Sequence, residues 1–172
     1  MKNIIGNNRG FTLIEIITSL IIIMIISVIA GMGLLEISKG YIFYKKNSTT
    51  AQQGQIAMTR LKKEISNIMS VTSGTATSIT FTRSSDPTPP PPRPSYTISW
   101  AGSNSPLLID GDILVGPVTS FNLTYCNSYN SCSSPNHSST TSIIEITLQL
   151  KGAEDTPINL IDRVNLYLET GG

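Results

Sequence analysis

The chain has 172 residues, with 12 Lys+Arg against 11 Asp+Glu, one His and two Cys, for a formal net charge of +1. That balance excludes a protein that coats nucleic acid and a polybasic membrane binder, both of which need a large positive excess. The apolar residues gather near the start and leave a polar remainder, which excludes a freely soluble cytosolic enzyme. Without a second apolar stretch of about 18 residues, a multispan transporter is excluded too.

The first ten residues, MKNIIGNNRG, carry Lys2 and Arg9 and no acid, a charge pattern that predicts a cytoplasmic N-terminus with the remainder outside. Between Phe11 and Leu35, 18 of 25 residues are apolar and nine are Ile. As a helix this segment extends about 37 Å at about 1.5 Å per residue, enough for one bilayer crossing with some tilt. A removable secretory signal is the weaker reading, because the run is longer than an ordinary signal core and continues into an amphipathic pattern. Glu15 is the anomaly within the run. Either it snorkels to the nearby interface, or it is kept for a partner charge.

Helical spacing continues beyond the span, with Ala57, Leu61, Ile65 and Met69 at successive i+4 positions. The pattern predicts one helix from Thr12 to Val71, about 90 Å long. Bending or local melting is expected at Gly31-Met32-Gly33, and a stop at Ser73-Gly74. Lys39, Lys45 and Lys46 read as a solvated juxtamembrane face, contact with phosphates being the alternative.

From Val71 to Ser142, 27 of 72 residues are Ser or Thr, and short alternating runs replace the helical period. Strands are expected at Ser78–Arg83, Ser95–Trp100, Leu107–Ile109, Ile113–Val115, Ser120–Tyr125, Ile143–Leu150 and Arg163–Leu168. Ile144, Ile146, Leu148 and Leu150 alternate with Glu145, Thr147 and Gln149, a sheet buried on one face. The amphipathic half of the helix is the available cover. The fold class is therefore α+β: a long N-terminal helix, its first half transmembrane, packed on an antiparallel β-sheet head. Expected boundaries are a leader over 1–10, a transmembrane helix over 11–35, its amphipathic second half over 36–72 and a β-rich head over 73–172.

Asp86–Pro94 holds six Pro in nine residues and reads as a polyproline II connection or a PxxP-type ligand. Asp110-Gly111-Asp112 reads as a tight turn, since a calcium loop needs further oxygen ligands. Cys126 and Cys132, on an exported domain, read as a disulfide closing a short loop, ahead of free thiols. A zinc site is not expected, because only His137 stands near. His137 itself is expected in a solvated loop. No nucleophile motif, phosphate loop or dinucleotide fingerprint is present, so neither enzyme activity nor a cofactor is expected.

Arg9-Gly10-Phe11-Thr12-Leu13-Ile14-Glu15, followed by about twenty apolar residues, resembles the type IV prepilin signature. The resemblance implies cleavage by a prepilin peptidase between Gly10 and Phe11 and methylation of the new Phe11 amine. It implies charge pairing of Glu15 with that amine, in the same or a neighbouring subunit. Loss of Lys2 and Arg9 would leave 10 Lys+Arg against 11 Asp+Glu. The segments Ala57–Ile65, Val118–Tyr125, Ile144–Leu148 and Arg163–Leu166 look, more loosely, like minor pseudopilins of the J type and minor pilins of the W type. The implied partners are other major and minor pilins or pseudopilins and an inner-membrane assembly platform. The implied location is the bacterial inner membrane, with a periplasmic head, and then the fibre. The implied role is structural, priming a pilus or a type II secretion pseudopilus. The alternative is a fibre-tip binding module, an adhesin or a DNA-uptake pilin. After Val71 only Arg83, Arg93, Lys151 and Arg163 are basic, a thin footprint for nucleic acid.

Overall fold

Thr12 starts the helix: its carbonyl accepts from the Glu15 and Ile16 amides at 3.1 and 3.3 Å, and its hydroxyl lies 3.4 Å from the Glu15 amide. Thr12-Leu13-Ile14-Glu15 thus has the spacing of a capping box, with an acid in the first turn facing the positive end of the helix dipole. The structure, a computed structural model, describes residues 10–83 and 94–166. It divides into two units, Met1–Phe43 and Tyr44–Gly172, and helix α1, Leu13–Ser66, contributes to both.

In the first unit the apolar side chains from Phe11 to Ile42 stand exposed. Helix α1 is long and apolar enough to cross a membrane. Its hydroxyls are satisfied locally, Ser19 on the Glu15 carbonyl at 2.7 Å, Ser27 on Ile23 at 2.7 Å and Ser38 on Leu34 at 2.8 Å. Such back-bonding is what allows Ser and Thr inside a hydrocarbon-facing helix. The bend or melted turn expected at Gly31-Met32-Gly33 is not seen as a break: α1 is helical throughout those residues.

In the second unit, α1 buries Gly54, Ala57, Met58, Leu61 and Ile65, one stripe at i, i+3 and i+4 spacing. A Cβ on Gly54 would lie 2.5 Å from Leu160 Cδ1 and 2.8 Å from Leu150 Cδ1, so helix and sheet lie close together there. The helix stops at Ser66, short of the expected Val71, and β1 covers Ile68–Gly74. Ser66 bonds the Lys63 carbonyl at 3.0 Å. Asn67 makes a short i−3 bond to Glu64, so the last turn tightens where two residues that compete for backbone occur together. Ile68 is buried by strand pairing opposite Arg83 instead of by a further helical turn.

The remaining strands are β2 Ser78–Arg83, β3 Tyr96–Trp100, β4 Ser105–Ile109, β5 Asp112–Ser128, β6 Ser131–Ser134, β7 Ile143–Lys151 and β8 Pro157–Asn165. They form an antiparallel sheet in the order β1-β2-β3-β4-β5-β7-β8, with β6 paired to β5. The expected alternation on β7 holds: Ile144, Ile146, Leu148 and Leu150 are buried and join the core with Phe81, Ile98, Phe121 and Leu123. Leu61 and Ile65 belong to the same core, so α1 is the cover the sheet requires. The expected α+β architecture is the one observed.

Several strand boundaries differ from expectation. The segments expected at 113–115 and 120–125 are one 17-residue strand, because Gly116-Pro117 is absorbed at a register shift between β4 and β5 and does not end the strand. Proline lacks a ladder donor and is tolerated at such irregularities. The last strand begins at Pro157, not Arg163, and pairs along β7 from Lys151 to Ile143. Tyr167 and Leu168 of the expected strand lie outside the described residues. So do the leader up to Arg9 and the proline-rich segment, except for Pro94.

Gly74, at the end of β1, is a tight point. A Cβ there would lie 2.6 Å from the Tyr125 hydroxyl oxygen and 2.7 Å from His137 Cβ. Gly74→Ala is therefore expected to destabilise the head by about 1–3 kcal/mol, a cost of overpacking, read as a lower thermal midpoint by circular dichroism.

Candidate assembly and processing site

Gly10 and Phe11 stand before the helix, outside any helix or strand. Both are exposed, Phe11 at 80%, and nothing lies within 4 Å of a Cβ built on Gly10. Glu15 is exposed one helical turn beyond Phe11, in the first turn of α1. The contiguous segment 10–15 thus presents a glycine, an aromatic residue and an acid at the positive end of one helix. The Thr12 cap was not singled out in the sequence. Its signal is the T-x-x-E spacing, hidden by the apolar residues around it.

Cys126 and Cys132 lie far along the chain, in the second unit. They face each other across the β5–β6 pair and are joined in a disulfide, with Cα atoms 4.2 Å apart. The segment expected as a loop is a hairpin whose second strand, Ser-Cys-Ser-Ser, carries no apolar alternation to betray it. Arg163 holds this hairpin to the sheet. Its guanidinium donates twice to Glu145 Oε2, at 2.7 Å from both Nε and Nη2, and to the Tyr129 carbonyl at 3.1 Å. It also lies 4.9 Å from the Tyr129 ring centroid. Arg83 does the comparable work beside β2, 3.0 Å from Glu64 and 3.5 Å over the Tyr96 ring.

Asp110-Gly111 forms the expected turn, with φ of 52° and 87°, and Asp110 Oδ1 accepts from the Thr97 amide at 2.6 Å. Among the described residues no group of three or more His, Cys, Asp or Glu is placed to hold a metal.

His137 departs from the solvated loop expected for it. Its ring meets Tyr125 edge-on with centroids 5.8 Å apart, its amide donates to the Gly74 carbonyl at 3.1 Å, and its Nε2 is buried without a partner among the described residues. The Ser-Asn-Pro surroundings concealed this, since the contact depends on β1 and β5 meeting far apart in sequence. Burial pushes the imidazole below its ordinary value and pushes the Tyr125 phenol up. An imidazole with a lowered folded-state pKa stays neutral while the unfolded chain takes up a proton. Head stability is therefore expected to be level above about pH 6.5 and to fall as pH drops below it. His137→Gln should flatten that slope in thermal melts. Asp162 acts in a separate, more acidic window. The hydrogen bond from Lys62 at 2.8 Å holds its carboxyl below the usual value, so its contribution is present above that value and lost as pH falls through the lowered one.

Residues 5–31 match the family described as the prokaryotic N-terminal methylation motif. No curated protein and no solved structure matches the chain. The motif spans the Gly10–Glu15 segment and most of the apolar run, and it supports a pilin or pseudopilin subunit that a prepilin peptidase processes and that assembles with other pilins. The exposed apolar helix that carries it supports single-pass membrane anchoring. With this motif opening a long helix that leads into an antiparallel sheet, the chain is a type IV prepilin-like protein.

Proposed function

We propose that the chain is a minor pilin or minor pseudopilin, a structural subunit that primes the tip of a type IV pilus or a type II secretion pseudopilus. The observation that carries the reading is the methylation motif at residues 5–31, laid on the first part of a helix whose apolar side chains from Phe11 to Ile42 stand exposed among the described residues. A helix apolar on all sides must be surrounded by lipid or by like helices, and a subunit that moves from membrane to fibre exchanges one for the other. Cleavage falls between Gly10 and Phe11, Phe11 receives the methyl group, and Glu15 pairs with the new amine. The N-terminus is cytoplasmic and the head, residues 73–172 with the helix segment that covers it, is extracytoplasmic. The head selects neighbouring subunits, and the assembly platform extends the fibre beneath them.

The priming role is tested by counting. Deleting the gene should sharply lower the number of fibres, and the protein should be far less abundant than the main subunit in sheared fibres. Equimolar abundance, or an unchanged fibre number on deletion, would remove the priming role.

A further inference from the structure

Lys2 and Arg9 precede the apolar span and Lys39, Lys45 and Lys46 follow it. The usual bias of basic residues toward the cytoplasmic side therefore does not account for the three lysines that follow. They adjoin Tyr41 and Tyr44, both exposed, and tyrosines of this kind sit at the membrane–water boundary. Among the described residues neither Lys45 nor Lys46 forms an ion pair.

Lys46 is exposed at the edge of a surface groove. With Thr50 and Gln53 it forms one wall of a groove of about 300 Å³, whose other wall includes Gly116 and Lys151. Asp155 also lines it and holds Lys151 at 2.7 Å, so the groove keeps a net positive charge with Lys46 uncompensated. A groove lined by two lysines, one of them two residues after the exposed Tyr44 in sequence, is complementary in charge to an anionic headgroup.

We propose that this groove binds the phosphate of an anionic phospholipid in the leaflet next to the head. Lys46 and Lys151 supply the charge that receives it. The inference rests on single-pass anchoring and not on the priming role.

The test is native mass spectrometry of the full chain in nonionic detergent, with added phosphatidylglycerol or phosphatidylcholine. Phosphatidylglycerol should be retained about tenfold more than phosphatidylcholine, as expected for a charge-dependent contact. Lys46→Gln should weaken that retention while leaving the Lys151–Asp155 pair in place. Adding Lys151→Gln should abolish the preference, whereas Lys63→Gln, on an exposed part of the same helix, should keep it. Equal retention of the two lipids, an equal loss in Lys63→Gln, or displacement by inorganic phosphate at the same concentration would overturn the proposal. Lysine variants should still be cut by the peptidase, so a failure here is separable from a failure of the prepilin reading.

Discussion

Glu15→Ala is expected to be inserted and cleaved like the parent chain but to enter fibres about a hundredfold less well. Cleavage is spared because the residues that flank the proposed scissile bond, Gly10 and Phe11, are untouched. Incorporation suffers because the mature Phe11 amine would enter the helix bundle without a counter-charge, and removing one partner of a buried pair costs roughly 3–5 kcal/mol. The geometry supplies a competing role for the same side chain, since Glu15 occupies the third helical position after the Thr12 cap. Glutamine separates the two. It serves a capping box as well as glutamate does but carries no charge, so Glu15→Gln should fail as Glu15→Ala does. Rescue by glutamine, or normal incorporation of the alanine variant in sheared fibres, would reduce Glu15 to a helix-start residue.

Leu61→Ala is expected to cause a large stability loss in the head. Leu61 is 0% exposed and lies within the stripe by which α1 covers the sheet. Truncating a fully buried leucine costs about 2–5 kcal/mol through lost transfer energy and the cavity left behind. For a unit of this size that lowers the thermal midpoint by about 10 °C. Ile56, on the same helix but 69% exposed, is the control: Ile56→Ala should change stability by no more than about 0.5 kcal/mol. Equal effects at the two positions would mean that the helix does not cover the sheet through this stripe.

Local periodicity made the main architecture readable. The i+4 apolar positions from Ala57 to Ile65 announce a covered helix, and the two-residue alternation from Ile143 to Leu150 announces the strand beneath it, because each pattern reports which face is buried. Where burial is settled by a distant strand, local pattern misleads. Ile68 and Met69 continue the helical spacing, yet they open a strand because β2 offers them pairing. Gly116-Pro117 reads as a break, yet a register shift carries β5 through it. Ser131–Ser134 has no strand signal at all and is held by pairing with β5 and a disulfide. The N-terminal motif was legible for a different reason. A motif matched over residues 5–31 is a linear stretch, so Gly10, Phe11 and Glu15, to which the proposal gives the processing and pairing roles, lie together in sequence. The Lys46–Lys151 groove was not legible, because its two lysines are brought together only when β7 packs beside the helix.

The prepilin reading is tested most directly by the intact mass and N-terminal peptide of the membrane-extracted protein, made with and without a co-expressed prepilin peptidase. The expected result is a chain beginning at N-methylated Phe11 when the peptidase is present and an uncut chain when it is absent. A chain that keeps Met1 in the presence of active peptidase, or one cut elsewhere in or after the apolar run, would contradict it.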